Sequence, residues 1–427
     1  MTTSPVRITA EPVLGDPVTA GSTTVQRLRA VVVRRPVMAL TLAAVVFVGV
    51  CLAFWPPAKE QYDLRVYVAA AQAVLDGRDI YTAHEGIYGL LGYTYPPFAA
   101  ILMAPLGLLS TGGGRILMTV VNALVLLLIG SLTVRALRPR WSTRHVLVTG
   151  FILGAAGLAL EPVRITFHYG QINLMLMAIL MIDLLGHLPQ RFRGVLIGVA
   201  TGIKLTPGIF IIYLLVTRRY REALTASAAT AGTMVLGFVV MPESAWKFWS
   251  SYIFDPTRPG SSTLVTNQAL RGVIDRLSGG PQGIGPVWIA AVLITLIVGF
   301  VTVRRAYDRG LLLESILLAA TIGVLVSPIS WTAHWVWAFP ATALLWNRVA
   351  ASYRTTGRSR QFAVRAGLAA FVTLTFGIGL PWLAPHMRDR ELHHHGFQLY
   401  LGNSYMICGV VMLLAAAYSL RRRSLKV

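Results

Sequence analysis

The stretch "VMALTLAAVVFVGVCLAF" (37 to 54), followed by "EQYDLRVYVAAAQAVLDG" (60 to 77), decides how the chain folds. Its first part is an uninterrupted apolar run of 18 residues, close to the length that a helix needs to cross a bilayer. No convincing cleavage site follows the run, so we interpret it as an uncleaved first membrane span. The second part is too polar and too short to cross, and it places an isolated carboxylate, Asp63, just beyond that span.

The segment that begins at Asp63 has the pattern of an amphipathic helix. Apolar side chains recur at helical spacing, at Leu64, Tyr67, Val68, Ala71 and Leu75. Such a helix is typical of one that lies in the membrane interface. Asp63 at its start has two interpretations, because Asp is also a favoured N-cap residue. Helix physics alone leaves open whether Asp63 is a cap or a functional carboxylate.

The composition excludes a soluble multidomain protein. Of 427 residues, 55% are hydrophobic and 13% charged, and the mean hydropathy is +0.63. The net charge of +21 comes from Arg residues clustered in short segments between apolar runs, as in cytoplasmic loops of membrane proteins, so nucleic-acid binding is not expected. Cys51 and Cys408 lie in apolar segments near opposite ends of the chain and predict neither a disulfide framework nor a metal site.

Apolar runs of near-spanning length recur along the chain and predict an all-α polytopic membrane protein. Ten are clear, at about 37–54, 115–134, 146–160, 173–187, 223–240, 286–303, 311–326, 332–346, 362–381 and 399–419. Two shorter runs within 193–216 are broken by "KLTP" and have Arg-rich segments on both sides. We therefore predict that these two runs go out and return, meeting near Lys204. The predicted total is about twelve transmembrane helices.

The run "YTYPPFAAILMAPLGLLS" (93 to 110) decides the orientation of the helices after it. If it crossed, the Arg-rich loop "RALRPRWSTRH" would lie outside, whereas an interfacial or re-entrant helix keeps that loop in the cytoplasm. The second choice assigns 26 of the 38 Lys and Arg residues to the cytoplasmic side and 12 to the outside, in agreement with the positive-inside rule. We therefore expect a multi-pass protein of the plasma membrane with both termini in the cytoplasm.

This topology predicts three parts of the chain: a disordered cytoplasmic tail (1–36), one transmembrane domain (37–420) and a basic cytoplasmic tail (421–427). Two long loops are expected on the outer face, at about 56–114 and 241–285. The cytoplasmic loops are short and contain no phosphate-cradling Gly-rich motif. We therefore place any chemistry on the outer face and expect it to proceed without a nucleotide.

Isolated polar groups on the outer face are the candidate site residues. Lys204 lies between two apolar helices, where an ionisable group lines a polar cavity, meets an anion or snorkels from a helix end. His334 lies among tryptophans that an aromatic belt explains without any function. The other candidates are Tyr62, Tyr93, Tyr95, His168, Gln171, Asn173, Asn267, Gln268, Arg271 and Trp335. No metal site is predicted at His393 to His395, because adjacent histidines do not share a helix face at ligand spacing.

Taken in order, seven motifs carry a resemblance to a known family: "YDLRVY", "LDGRDIY", "YTYPPFAAILMAPL", "GQIN", "GIKLTPG", "NQALRG" and "SPISWTAHW". The chain resembles the GT-C type membrane glycosyltransferases that use polyprenyl-phosphate sugars. It is most similar to the bacterial polyprenyl-phosphate-mannose-dependent α-1,2-mannosyltransferases of phosphatidylinositol mannoside synthesis, in particular those that add the fifth mannose. The resemblance covers about 37 to 345 and implies a GT-C-like fold with interfacial helices in the first outer loop.

The resemblance implies transfer of mannose, at the outer leaflet, from polyprenyl-phosphate-mannose to a hydroxyl of a mannosylated phosphatidylinositol lipid. In the family the first-loop Asp is the general base, and that role falls on Asp63. A β-linked donor and an α-linked product require inversion, for which one base suffices because phosphate leaves with little help from an acid. The implied partners are membrane lipids, including donor and acceptor. No cofactor is expected, and no divalent metal, because only Glu60 stands near Asp63 as a second acid.

The departing phosphate needs cations that are already in place. We expect Lys204 to bind it, with Arg271, His168 and His334 behind it; His334 is also expected to act in catalysis, by orienting Asp63 or by contacting the acceptor sugar. The residues expected to bind the sugars or the acceptor are Tyr62, Tyr93, Tyr95, Gln171, Asn173, Asn267, Gln268 and Trp335.

Other functions stay open at this point. A flippase or transporter of a lipid-linked sugar would also have twelve spans and broken helices, although the two halves show no internal repeat. An enzyme that uses another prenyl-phosphate sugar, such as arabinose, fits the same motifs. A scaffold without activity is the third alternative.

Overall fold

The structure is a computed structural model that describes residues 36–55, 61–82, 84–85, 91–255, 257–280 and 285–422. This part of the chain is almost entirely helical. The α-helices are α1 (Pro36–Phe54), α2 (Tyr62–Leu75), α3 (Pro97–Met103), α4 (Thr111–Leu137), α5 (Thr143–Ala156), α6 (Glu161–Tyr169), α7 (Asn173–Leu184), α8 (Val195–Ile203), α9 (Ile209–Val216), α10 (Tyr220–Val240), α11 (Pro242–Ser250), α12 (Leu270–Leu277), α13 (Gly285–Asp308), α14 (Leu312–Val326), α15 (Ala338–Thr356), α16 (Arg360–Ile378), α17 (Phe397–Gly402) and α18 (Ser404–Arg422).

Short 3-10 segments join or extend these helices. They are Ala104–Leu108, Gly157–Ala159, Gln190–Phe192, Thr206–Gly208, Tyr252–Phe254, Thr332–Trp337, Leu380–Leu383 and Arg390–His393. Two strands, β1 (His84–Glu85) and β2 (Leu91–Gly92), pair antiparallel, with His84 opposite Gly92.

The chain divides into two compact units. The first is described from residue 36 and holds the beginning of α1, as far as Val46. The second unit begins at Phe47 and contains the remaining helices. Its core is built from large side chains that are almost fully buried, among them Tyr67, Phe167, Tyr213, Phe376 and Tyr405.

Five helices of the described chain are long and apolar enough to cross a membrane: α4, α10, α13, α16 and α18. A sixth candidate is α5 with its 3-10 extension and α6, which form a pair bent by 80°. Shorter apolar helices include α1, α7, α14 and the segments Pro97–Leu108 and Thr206–Val216. A polytopic membrane protein is therefore confirmed, while the number of twelve spans stays a prediction.

The predicted break within 193–216 is present in the structure. Helix α8 ends at Ile203, Lys204 has an extended backbone (φ −147°, ψ 133°), and Thr206–Gly208 leads into α9. The cause is local, because Pro207 cannot supply the amide that would continue a helix through this point. Because of this break, Lys204 lies between two helices and not within one.

The two long loops that we predicted on the outer face contain helices and contact each other. The first carries α2, the short hairpin and α3, and the second carries α11 and α12. Asp79 joins them, since its carboxylate accepts hydrogen bonds from Ser244 Oγ at 2.9 Å and from Lys247 Nζ at 3.0 Å. The candidate site lies at the start of the first loop and is held in part by this pairing. The predicted tail 1–36 and Glu60 lie outside the described residues, apart from Pro36.

Candidate active site

Asp63 lies in the first turn of α2 but does not cap it. The N-cap is Gln61, whose backbone is extended (φ −113°, ψ 90°) and whose side chain points elsewhere: Gln61 Nε2 donates to the Phe167 carbonyl oxygen at 3.1 Å. The interpretation of Asp63 as a simple cap is therefore wrong. Its partly buried carboxylate is hydrogen-bonded instead to the side chain of Gln171, more than a hundred residues away.

Gly170 brings the two segments that carry this pair together. It ends α6 in the left-handed conformation (φ 68°, ψ 39°), which glycine adopts without strain. A Cβ at this position would lie 2.8 Å from Leu64 Cβ and 2.9 Å from Gln61 Oε1. The start of α2 therefore packs directly on the backbone of Gly170, and this contact places Asp63 beside Gln171.

A continuous chain of hydrogen bonds runs from Asp63 to His334, and we call it the Asp63 network. Gln171 joins Asp63 to Asn173, because Gln171 Oε1 accepts from Asn173 Nδ2 at 3.1 Å. Asn173 Oδ1 in turn accepts from Lys204 Nζ at 3.0 Å, and Lys204 Nζ lies 2.8 Å from His334 Nε2. The network therefore brings together Asp63, Gln171, Asn173, Lys204 and His334 from four separate parts of the sequence.

Lys204 is the cation of this network. It is buried, and its ammonium nitrogen lies 5.3 Å from the centre of the Tyr95 ring, within the range of a cation–π contact. An ammonium group has three N–H donors, and the described contacts with Asn173 and His334 use two of them. In its ammonium form Lys204 can only donate, so His334 Nε2 then accepts from it. One donor of Lys204 is therefore available to an anion.

Tyr67 supports the network and was not among the sequence-predicted site residues. Its hydroxyl donates to Gln171 Oε1 at 3.3 Å and lies 3.0 Å from the Tyr95 hydroxyl. We had interpreted Tyr67 only as part of the apolar face of α2. Its position four residues after Asp63 was the available signal, because residues i and i+4 of a helix share a face.

The surroundings of Asp63 change its acidity. Burial raises the pKa of the Asp63 carboxyl to about 6, although the hydrogen bond from Gln171 and the charge of Lys204 both oppose this rise. A carboxylate with a pKa near the working pH is a better proton acceptor than an ordinary surface Asp. This raised pKa is of the kind that suits a general base.

A buried carboxylate, Glu161, fixes the segment that carries His334. Glu161 starts α6 and accepts hydrogen bonds from Trp382 Nε1 at 2.6 Å, from the Tyr405 hydroxyl at 2.7 Å and from Thr332. Thr332 opens the 3-10 segment that carries His334. The segment is thereby fixed to α6, the helix that leads into Gln171.

Asn267 and Gln268, which we predicted to bind the sugars or the acceptor, are hydrogen-bonded to the backbone in the structure. Both are fully buried, and their amide groups are occupied by backbone partners. Asn267 Oδ1 accepts from the Ser330 amide at 2.9 Å, and Gln268 Oε1 accepts from the Tyr405 amide at 3.0 Å. They fix the second outer loop to the segment before His334 and to α18.

Three further predicted site residues are buried in the protein or paired with another of its side chains. Tyr93 is fully buried, so its ring has no face open to a sugar. Trp335 is 3% exposed and packs against Phe376 and Tyr405. Arg271 forms an ion pair with Asp275, with 2.8 Å between Arg271 Nε and Asp275 Oδ2, so a buried carboxylate already balances its charge.

Tyr62 and His168 lie at the edge of the site. The Tyr62 ring contacts Tyr169 with 6.4 Å between ring centres, and the ring of the exposed His168 lies 5.0 Å from the same tyrosine ring, tilted by 58°. Their proposed roles with acceptor and donor stay predictions. Within the described ranges, no group of three or more His, Cys, Asp or Glu side chains is arranged to hold a metal ion.

The sequence was compared with protein families and characterised relatives. The model of Glycosyltransferase family 87 matches residues 93–328, more than half of the chain. This range includes Gln171, Asn173 and Lys204 and lies between Asp63 and His334. The match therefore covers the middle of the Asp63 network.

Relatives from two mycobacterial species match most of the chain. A "polyprenol-phosphate-mannose-dependent alpha-(1-2)-phosphatidylinositol mannoside mannosyltransferase" of Mycobacterium tuberculosis is 33% identical, over 67% of this chain and 71% of the relative. A "polyprenol-phosphate-mannose-dependent alpha-(1-2)-phosphatidylinositol pentamannoside mannosyltransferase" of Mycolicibacterium smegmatis is 30% identical, over 84% of this chain and 85% of the relative. Among solved structures, ArnT from Cupriavidus metallidurans bound to undecaprenyl phosphate aligns with a TM-score of 0.42 and 17% identity, over 90% of this chain and 76% of that one.

Proposed function

The chain belongs to glycosyltransferase family 87, and we propose that it transfers mannose from polyprenyl-phosphate-mannose to a hydroxyl of a mannosylated phosphatidylinositol lipid in α-1,2 linkage. The relatives are named for this class of reaction, and the chain covers more than two thirds of their length. The protein is accordingly a mannosyltransferase, and the flippase interpretation is set aside. The mechanism, the leaflet and the site residues are the parts that we propose.

The observation that carries the mechanism is the Asp63 network, which joins a carboxylate and a cation through two amide side chains. In our proposal the acceptor hydroxyl attacks the anomeric carbon of the mannose and gives its proton to the Asp63 carboxylate. The bond from that carbon to the phosphate oxygen breaks on the opposite face, so the configuration inverts. The electron pair leaves with polyprenyl phosphate.

We propose that Lys204 stabilises the negative charge that develops on the departing phosphate. Its ammonium group is fixed before the reaction by Asn173 and His334, so little reorganisation is needed when the charge appears. The amides of Gln171 and Asn173 separate the cation from the base, which keeps Lys204 from forming a direct ion pair with Asp63. Each charged group is then available to its own substrate.

We further propose a GT-C-like fold with the site at the extracytoplasmic face of the plasma membrane. Support comes from the distribution of Lys and Arg along the sequence and from the position of the network beside the two long loops. Short apolar helices such as Pro97–Leu108 suit a groove for the prenyl tail. The reaction is proposed to proceed without a cofactor or a divalent metal.

An assay with purified protein in detergent tests the proposal, because an enzyme needs no sealed membrane and a flippase shows no activity without one. Labelled mannose should move from polyprenyl-phosphate-mannose to a phosphatidylinositol mannoside, and the same prenyl phosphate bearing arabinose should be a poor donor. A chelator should leave the rate unchanged. Transfer of arabinose at the rate of mannose would overturn the donor assignment, and loss of activity with chelator, restored by added metal, would overturn metal independence.

A further inference from the structure

A groove lies between helices, and none of the residues of the Asp63 network is among its lining residues. Its volume is about 450 Å³, and α4 and α5 form one wall while α15 and α16 form the other. The lining is mostly apolar and includes Leu153, Ala156, Phe339 and Trp346. Since α4 and α16 are long enough to cross a membrane, the groove lies among membrane helices, where hydrocarbon rather than water fills apolar space.

One end of the groove carries a cation and an indole ring. Arg138 and Trp141 both line it, and the Arg138 guanidinium lies 5.7 Å from the centre of the Trp141 ring. The loop that holds them is fixed in place, because Arg135 Nη1 donates to the Trp141 carbonyl at 2.8 Å. Paired Arg and Trp side chains at the end of a membrane helix are typical of the head-group region of a bilayer.

No carboxylate close in sequence balances the charge at this end. Residues 116 to 160 contain no Asp or Glu, while Arg135, Arg138, Arg140 and Arg144 lie within ten positions of one another. Among the described residues, Arg138 forms no ion pair and donates to the Leu137 carbonyl at 3.1 Å. A guanidinium has five donors, so most of those on Arg138 are available to a phosphate.

Leu160 and Ala159 line the opposite end of the groove, where Arg164 donates to the Ala159 carbonyl at 2.5 Å and to the Gly377 carbonyl at 2.8 Å. Arg138 precedes α5 and Leu160 follows it, so the two ends are separated by the length of this helix, about 20 Å. A lipid phosphate at Arg138 would therefore lie about 20 Å from the end of the groove that adjoins α6.

From these observations we propose that the groove binds an anionic phospholipid, with its phosphate on Arg138 and one acyl chain between α5 and α15. The apolar walls accommodate hydrocarbon, and the unbalanced charge of Arg138 selects an anionic head group over a zwitterionic one. The bound lipid fills the space between the two helix pairs. This site is separate from the donor and acceptor sites.

Photo-crosslinking in detergent tests the proposal. The probes are phosphatidylglycerol and phosphatidylcholine with the same diazirine-bearing acyl chain, and labelled peptides are identified by mass spectrometry. Peptides of α5 and α15 should be labelled by the phosphatidylglycerol probe about fivefold more than by the phosphatidylcholine probe. Arg138→Gln should remove this preference, and the neighbouring Arg140→Gln, which does not line the groove, should preserve it.

A second variant separates the acyl chain from the head group. Ala156→Trp fills the groove and should reduce labelling by both probes, while mannosyl transfer per folded molecule stays within about twofold, because Ala156 is outside the Asp63 network. Equal labelling by the two probes, or equal effects of Arg138→Gln and Arg140→Gln, would overturn the proposal. Suppression of labelling by unlabelled polyprenyl phosphate, but not by unlabelled phosphatidylglycerol, would instead assign the groove to the donor tail.

Discussion

Two buried polar clusters of this protein differ in how their hydrogen-bonding capacity is used. In the Asp63 network, side chains bond mainly to other side chains, Asp63 is partly exposed, and Lys204 keeps a donor available. The second cluster, which we call the loop cluster, consists of Asn267, Gln268, Asp275 and Arg276, all of them buried.

The loop cluster is bonded to the backbone and to other protein side chains. Gln268 Nε2 donates to the carbonyl oxygens of Val265 and Gly402, and Arg276 Nη1 donates to those of Leu264 and Asn267. Asp275 pairs with Arg271, and Arg276 Nε donates to Asn403 Oδ1 at 3.0 Å. Polar groups whose partners the protein already supplies hold a loop in place and have little capacity left for a substrate. We therefore interpret the Asp63 network as the site and the loop cluster as part of the scaffold that holds it. Substitutions in each cluster test that distinction.

The largest effect is expected at the base. Asp63→Asn removes the proton acceptor while keeping the size of the side chain, so transfer should fall by about 10³-fold, measured as initial rate with saturating substrates. Asp76→Asn is the matched control, because Asp76 follows the other end of α2, is exposed and pairs with Arg78. A rate for Asp63→Asn within tenfold of wild type would remove Asp63 from the base role.

A smaller loss is expected at the cation. Lys204→Met should reduce the rate by about 10²-fold and weaken the apparent affinity for the donor more than for the acceptor, since only the phosphate loses its partner. The same variant removes the charge that lowers the Asp63 pKa, so the acidic limb of the pH profile should move to higher pH. If the donor affinity and the acidic limb of the pH profile were both unchanged, the assignment of Lys204 as the phosphate-binding cation would be contradicted.

In the wild-type protein, activity should fall by about tenfold for each pH unit below the pKa of Asp63. The folded-state pKa of Asp63 is raised to about 6, and the active form is the carboxylate. The rate constant kcat/KM should therefore fall as the pH drops below this value. A profile that stays flat down to about pH 4.5, in protein shown to remain folded, would mean that no group with this pKa acts as the base.

The smallest effect on turnover is expected in the loop cluster. Gln268→Leu leaves the Gly402 carbonyl and the Tyr405 amide without their partners, which costs about 1–3 kcal/mol for each buried group. The midpoint of thermal unfolding in detergent should therefore fall, while kcat per folded molecule stays within about twofold. A loss of kcat as large as that of Lys204→Met would place Gln268 in the site and abolish the distinction between the two clusters.

Much of the fold follows from sequence periodicity, because most of the predicted apolar runs coincide with a single helix of the structure. The run 332–346 instead begins in a 3-10 segment, and the run 399–419 is divided between α17 and α18. The break at Lys204 was equally predictable, since a charge followed by a proline between two apolar runs cannot continue a membrane helix without disturbance. The number of spans was less predictable. Several helices, such as α7, are shorter than the thickness of a bilayer, and the sequence does not show which neighbouring helices pack against them.

The site was predictable where a residue type was out of place and unpredictable where it was not. Asp63, Lys204 and His334 stood out as polar groups beside apolar runs, and the structure joins them. Asn267 and Gln268 stood out for the same reason, yet tertiary hydrogen bonds to the backbone occupy them. The sequence shows that a polar group is present but not which partner satisfies it.

Glu161 has a consequence for how the protein is made. Its carboxylate bonds to Thr332, beside His334, and to Tyr405, which lies 244 residues further along the chain. During synthesis the helix that carries Glu161 emerges long before α18, so this support of the histidine segment is incomplete until Tyr405 has been made. A nascent chain that stalls before Tyr405 therefore lacks one of the contacts that fix the segment of His334.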